Sequence, residues 1–226
     1  MYAALKKLIL FGIFITPFFA KAQGGFVIGY NIGSFRQAQR IPQAYAQSFN
    51  AQSGDKLIQK MKFNGFYRGL TFGFKTGGES WLFGMRWSTK KATSNTGEND
   101  VLSQRIRIRQ NTVGVEFGMG SEFVKLGASL DAGVVKVQRE MTDKTTNEST
   151  GWEGYYEGST LFNSGSTVAA FYFFVDFQLG PFVEFRPYYQ LPISQTQILD
   201  KRTLRSYVYR THNFGFSLSL VLFGND

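Results

Sequence analysis

Bulky apolar residues alternate with smaller residues in the segment that follows Asn213. Every second residue there is large and apolar, and those between are glycine, serine or valine; the large ones are Phe214, Phe216, Leu218, Leu220 and Leu222. Because successive side chains of a β-strand point to opposite faces, this alternation predicts a strand with one apolar face and one small, mostly polar face.

Seven similar segments precede it, so the pattern predicts eight strands; the first seven lie at about 25–35, 63–76, 80–88, 105–119, 123–137, 167–179 and 182–191. Three links are tight turns, at Gly77-Gly78, Gly120-Ser121-Glu122 and Gly180-Pro181. The other four are long and polar, at about 36–62, 89–104, 138–166 and 192–204. Pro187 lacks a backbone donor, so we expect a bulge or an unpaired position in the seventh strand.

Eight charged residues in these strands lie on the side opposite the bulky residues, and the bulky side carries almost no charge. They are Lys75, Arg86, Glu116, Lys125, Asp131, Asp176, Glu184 and Arg186. A soluble barrel of the lipocalin kind, or a β-sandwich, would place charge outside and apolar residues inside. A charge facing lipid near the midplane costs about 2–4 kcal/mol, so the charged side is expected to face a lumen. The sequence therefore predicts an all-β, eight-stranded antiparallel up-and-down transmembrane β-barrel.

With this alternation and these links, the chain resembles the small eight-stranded outer-membrane barrels of the OmpA-transmembrane and OmpX type. It is also similar to the outer membrane protein beta-barrel domain family of Bacteroidota. The resemblance implies a monomer in the outer membrane of a Gram-negative cell, inserted by machinery that recognises a final strand ending on an aromatic residue. Phe223 fits that position, although Gly224, Asn225 and Asp226 follow it.

The first 22 residues have the pattern of a secretory signal peptide. Lys6 and Lys7 precede an apolar run, and Ala20-Lys21-Ala22 has the small-x-small form of a cleavage site. We therefore expect residues 1–22 to be a signal peptide and residues 23–226 to form one barrel domain. The apolar run is shorter than the roughly 20 residues that a transmembrane helix needs.

The chain is basic and contains no cysteine. It carries 25 Lys and Arg against 16 Asp and Glu, a formal charge of +9. No nucleic-acid-binding signature accompanies this charge, and an anionic membrane surface, including lipopolysaccharide, is the more natural partner. The absence of cysteine excludes disulfides and thiolate metal sites. No motif for a cofactor or a metal ion is present, and we expect none.

An eight-stranded barrel is just wide enough inside for side chains to fill it. The eight inward charges are balanced, so we expect them to pair as a salt-bridge network that plugs the lumen, since an unpaired buried charge is costly. The alternative use of the same groups is a gated or narrow ion path. A general diffusion porin would need roughly 16 strands.

His212 is the single histidine of the chain. Some eight-stranded outer-membrane barrels are lipid A-modifying enzymes, acyl hydrolases or acyltransferases, that use a histidine with a serine and an acid. By that resemblance His212 is a candidate catalytic base. Ser217, in the same strand, has the opposite parity to His212, so a serine partner would come from elsewhere, such as a neighbouring strand. The alternative is a histidine at the membrane interface without a catalytic role.

Arginines cluster where the fourth strand begins. Arg105, Arg107 and Arg109 alternate with isoleucines, and continuing the parity of the strand places them outward unless a bulge near Gln110 reverses it. With Arg68 and Arg210 they form a candidate rim for lipid-headgroup phosphates. A solvated strand extension is the alternative.

The third long segment is acidic and aromatic, with Glu140, Asp143, Glu148, Trp152, Glu153, Tyr155, Tyr156 and Glu157. Barrels commonly carry function on loops over a rigid scaffold. Such a loop could bind an envelope protein partner or a cation, or it could be merely solvated. The most economical functional expectation is a non-enzymatic role in envelope structure, adhesion or partner binding.

Overall fold

The computed structural model describes residues 23–36, 39–154, 165–180, 182–194, 196–200, 205–210 and 212–223. Eight long strands dominate this part of the chain: β1 (Gln23–Phe35), β2 (Phe66–Gly77), β3 (Trp81–Thr93), β4 (Leu102–Gly120), β5 (Val124–Asp143), β6 (Gly165–Gln178), β7 (Val183–Pro192) and β8 (Asn213–Phe223). The signal-peptide prediction concerns residues that lie outside the described ranges.

The eight strands close into an antiparallel barrel. Each pairs with the strands before and after it in the chain, and β1 pairs with β8, from Gly25 opposite Phe223 to Phe35 opposite Asn213. The all-β, eight-stranded up-and-down prediction is confirmed. We call the end with the three short links the turn end, and the opposite end the loop end.

The faces of the barrel are divided as the alternation predicts. The large apolar side chains point outward and remain exposed, among them those of Ile28, Phe72, Met85, Val115, Phe173 and Leu218. The outward residues of β8 cover about 27 Å of strand at about 3.4 Å per residue, which a tilt of 35–45° reduces to about 20 Å, close to the apolar band of about 25 Å in membrane barrels. Within this band the charged residues instead face the lumen, so the barrel is built to span a membrane.

Strands extend into two long segments that were predicted as loops. β3 continues to Thr93, and β5 runs to Asp143 beside a β4 that begins at Leu102, so residues 89–93, 102–104 and 138–143 belong to the sheet. Most residues in these parts of the strands are polar or charged, and for that reason sequence reasoning assigned them to loops. Three strands therefore extend well past the apolar band.

The first long segment is folded rather than an open loop. It contains helix α1 (Arg40–Ser53), a 3₁₀ turn (Gly54–Lys56) and a short strand (Leu57–Gln59), which pairs with a second short strand (Gly97–Asn99) beside β4. The remaining short strands in the described ranges are Glu153–Gly154, against β5, and the antiparallel pair Thr196–Asp200 and Arg205–Tyr209. Within the described ranges, no helix is both long and apolar enough to cross a membrane.

Pro187 is accommodated without a bulge. The register between β6 and β7 is the same on both sides of it, with Phe185 opposite Phe177 and Tyr188 opposite Phe174. Pairing with β6 lapses at Arg186 and Pro187, whereas pairing with β8 continues through them. The unpaired position is the solution that the missing N–H group favours.

Candidate functional site

A charge network fills the turn-end half of the lumen; it comprises Lys75, Arg86, Glu116, Asp131, Asp176, Glu184 and Arg186, all of them buried. Strand alternation points every one of these side chains inward. Arg186 is the centre of the network. It donates to Glu116 at 2.7 Å and to Asp176 at 2.7 Å, and its Nε lies 3.3 Å from Glu184.

The remaining charges of the network complete this centre. Arg86 donates to both carboxylate oxygens of Asp131 at 3.2 Å, and its Nε lies 3.6 Å from Glu116. Lys75 is paired with Glu184. Each acid therefore has a cationic neighbour, which is the arrangement that buried charges require.

Lys125 stands apart from the network that the sequence placed it in. It points to the lumen from β5 but is only half-buried near the turn end, and no ion pair joins it to an acid in the described part of the chain. Seven of the eight predicted inward charges are thus brought together, and the eighth is not.

A second layer, missed by sequence reasoning, lies above the network toward the loop end. We call it the tyrosine chamber; it is formed by Tyr67, Lys90, Gln110, Tyr172, Tyr188, Gln190 and Asn213, all buried. Lys90 donates to Gln190 and to Asn213, both at 2.8 Å, and its ammonium lies 4.7 Å from the centre of the Tyr188 ring. Lys90 is four residues from Arg86 and therefore points inward as Arg86 does. Sequence reasoning missed it because the predicted third strand stops at Ser88.

An apolar cap closes the loop end of the lumen. Inward side chains of β4 and β5 pack there against α1 and the segment that follows it; the buried members are Phe35, Ala46, Phe49, Met61, Phe63, Ala92, Ile106, Ile108, Val135 and Val137. Asn50 fixes the end of α1 by accepting from the Met61 N–H at 2.8 Å and donating to the Met61 carbonyl at 2.9 Å. Network, chamber and cap together favour a filled barrel over an ion path.

His212 lies just before β8, on the outer side of the barrel. Its Nδ1 is 2.8 Å from the Tyr189 hydroxyl, and that is the one side-chain hydrogen bond it makes within the described ranges. Partial burial, and then the Arg210 cation, lower the pKa of the imidazole. No described serine or acid is hydrogen-bonded to it, so the geometry does not assemble the triad that the enzyme alternative requires.

The predicted arginine rim lies outward. The register of β4 with β5 is continuous from Leu102 opposite Asp143 to Gly120 opposite Lys125, so the bulge considered near Gln110 does not occur. Arg68, Arg105, Arg109 and Arg210 are exposed, and Arg107 is half-buried. Arg210 lies just before β8. In the sheet, β1 stands between β8 and β2, so Arg210 is apart from the other four arginines.

Two of the rim arginines are held by residues assigned to the third loop. Arg105 Nε donates to Glu140 at 2.9 Å, and the Arg107 guanidinium lies 3.9 Å from the centre of the Trp152 ring. Glu140 and Asp143 belong to β5, and Glu148, Trp152 and Glu153 lie beyond it. Tyr155, Tyr156 and Glu157 lie outside the described residues. Glu140 and Trp152 are therefore not in a merely solvated loop. They belong to what we call the folded extension, which consists of the parts of β3, β4 and β5 beyond the apolar band and the segments that pack or pair with them.

The described residues contain no group of three or more His, Cys, Asp or Glu arranged to hold a metal ion. The acids of the lumen are instead neutralised by arginine and lysine. The arrangement is a rigid, filled barrel that carries charged and aromatic side chains on its outer rim.

Comparison with known proteins finds distant likenesses among solved structures. The chain is similar to Ail, the attachment invasion locus protein of Yersinia pestis, in complex with the heparin analogue sucrose octasulfate, at 13% identity over 89% of this chain and 97% of that one, with a TM-score of 0.44. Neisserial surface protein A (NspA) matches at 10% identity over the same shares, with a TM-score of 0.40. No protein-family model and no curated protein sequence matches the chain. The barrel assignment rests on the strand pairing described above.

Proposed function

We propose that the chain is an integral outer-membrane protein of a Gram-negative envelope, exported with residues 1–22 as a cleaved signal and inserted as a monomer by the barrel-insertion machinery. Its role is non-enzymatic: it displays a folded extension outside the cell for adhesion, envelope structure or binding of an envelope protein. The observation that carries this proposal is the inverted distribution of side chains, with an apolar exterior around a buried network of paired charges.

The position of the folded parts supports the same role. β3, β4 and β5 continue beyond the apolar band, and α1 packs over their inward apolar side chains. This gives the loop end a small hydrophobic core of its own, whereas the turn end has only short links. A rigid extension on one side of a filled barrel is suited to presenting a surface, because nothing has to pass through the lumen.

Cysteine labelling tests the localisation and the orientation together, since the chain has no cysteine of its own. Gln52→Cys lies on α1 at the loop end, and Glu122→Cys lies in a turn-end link; both positions are exposed. In intact cells, a membrane-impermeant maleimide is expected to label the first variant and to spare the second. Permeabilising the outer membrane should then allow both to react.

Leu218→Cys serves as the matched control for the apolar band. Its side chain is exposed in the isolated barrel, but lipid should shield it from the water-soluble maleimide before and after permeabilisation. Equal labelling of all three variants in a soluble periplasmic fraction would overturn the outer-membrane proposal.

The enzyme alternative built on His212 has a separate test. Because the described partner of His212 is Tyr189 and not a serine or an acid, we expect His212→Ala to leave the mass spectrum of the host's lipid A unchanged. A variant-dependent change in acyl-chain number, restored by the unmodified chain, would instead establish the enzymatic function.

A further inference from the structure

Four basic residues form a continuous row across four neighbouring strands. Arg68 of β2 lies opposite Lys91 of β3, Lys91 opposite Arg109 of β4, and Arg109 opposite Lys136 of β5. All four are exposed on the outer side of the barrel. Directly opposed residues in antiparallel strands have Cβ atoms about 4.5–5.5 Å apart. We call this set the cation row.

The row has no counter-charge of its own. Like charges directly opposite each other destabilise a sheet, yet none of the four forms an ion pair in the described part of the chain. Glu140, an acid beside the arginine rim, is paired with Arg105. Within the described ranges, the row makes one side-chain hydrogen bond, a long one of 3.4 Å from Arg109 to Asn111. Four adjacent cations are thus left to an external anion.

The level of the row points to the source of that anion. Two residues nearer the turn end, the outward positions are Thr89 and Asn111, and four residues nearer, Trp87 stacks on Phe72 with ring centres 5.5 Å apart. Exposed tryptophan and phenylalanine mark the boundary of the hydrocarbon in membrane barrels. Lys91 and Arg109 therefore lie just above that boundary, where lipid phosphates lie, and Arg68, two residues from the outward Leu70, lies at the boundary itself.

The row is also confined to one side of the barrel. Next to Arg68 the outward neighbour on β1 is Ile32, and next to Ile32 on β8 it is Phe216. The four cations cover three strand spacings, about 14 Å at about 4.8 Å each. This length allows two phosphates to be held at once, with arginine suited to bidentate contact and lysine to a point charge.

We propose that the cation row is a binding site for a glycolipid of the outer leaflet that carries two phosphate groups on its sugar headgroup. The proposal rests on the proposed function, because it needs the barrel to span the outer membrane. It adds Lys91 and Lys136 to the rim, and it separates Arg68 and Arg109 from Arg105 and Arg107, which Glu140 and Trp152 already engage.

The test uses the full mature chain in phosphatidylcholine nanodiscs that contain bisphosphorylated lipid A. Lipid retained after release into detergent is counted by native mass spectrometry, and affinity is obtained by titration. We expect the double variant Lys91→Gln with Arg109→Gln to bind about 30-fold more weakly, equivalent to about 2 kcal/mol, at about 1 kcal/mol for each basic residue near an anionic lipid surface.

Two further variants keep the result interpretable. Lys60→Gln with Lys62→Gln removes the same charge from exposed positions outside the row and should bind like the unmodified chain. Lys91→Arg with Arg109→Lys retains the charge and should also bind. Discs in which monophosphorylated lipid A or phosphatidylglycerol replaces the lipid are expected to show weaker retention.

Three outcomes would overturn the proposal: equal losses in the two glutamine variants, equal retention of all three anionic lipids, or binding of free pyrophosphate as tight as binding of the lipid. In each case the barrel would still be in the disc, so the proposed function would stand. A chain that does not enter the discs at all, in either its unmodified or its variant forms, would refute the proposed function first.

Discussion

Leu218→Arg is expected to destabilise the inserted barrel by about 2–4 kcal/mol, the cost of an arginine facing lipid near the bilayer midplane. Leu218 points outward from β8, opposite Tyr30 on β1 and Phe185 on β7, and its side chain is 53% exposed. In water, exchanging an exposed leucine for arginine would have little effect on stability. In lipid, the new guanidinium loses its hydration, and no acid is next to it to compensate.

The quantity measured is the free energy of unfolding by urea in lipid vesicles. Heat-modifiable gel migration gives the folded fraction at each urea concentration. Ile58→Arg is the matched control, because Ile58 is 62% exposed but lies in the folded extension beyond the apolar band. Its change should stay within about 0.5 kcal/mol, as for ordinary surface substitutions. A soluble barrel would tolerate both changes equally, and that result would refute the membrane-spanning architecture.

Arg186→Met is expected to destabilise the barrel by about 3–5 kcal/mol, the usual effect of removing one partner from a buried ion pair. Arg186 contacts Glu116, Asp176 and Glu184, and its guanidinium also lies over the Phe174 ring at 4.1 Å. Methionine fills part of the volume but supplies no donor. Arg86 and Lys75 remain in the lumen, but they then face four carboxylates instead of sharing them with Arg186.

Lys125→Met is the matched control for this second prediction. It also removes an inward cation, but Lys125 is half-buried near the turn end and makes no ion pair with a described acid. Its effect in the same urea titration should be small. Similar losses from both variants would show that total lumen charge, and not the contacts of Arg186, determines stability.

The barrel could be predicted from the sequence because alternation is a local property. Side chains such as those of Phe216 and Ser217 are assigned to opposite faces by strand geometry alone, and the charged residues then identify the face that avoids lipid. The positions of Arg86, Glu116 and Arg186 inside the lumen follow by the same reasoning. Their pairing partners do not, because those depend on which strands lie across the lumen.

Three features escaped sequence reasoning for related reasons. Helix α1 was missed because its polar residues resemble a loop, and its buried positions, Ala46 and Phe49, gain their apolar surroundings only when the cap at the loop end assembles. Lys90 was missed because the predicted strand stopped at Ser88. The cation row was only half seen, since Lys91 and Lys136 join Arg68 and Arg109 through strand register.

By itself, the sequence determined the number of strands, which face of each strand points outward and the presence of balanced charge inside the barrel. Each of these follows from the two-residue period of strand side chains and from the cost of placing a charge in lipid. The tertiary structure alone decided which inward charges pair, how the loop end is capped and which outward cations become neighbours. Those relations join residues far apart in the chain, and they depend on register and closure, which local alternation does not encode.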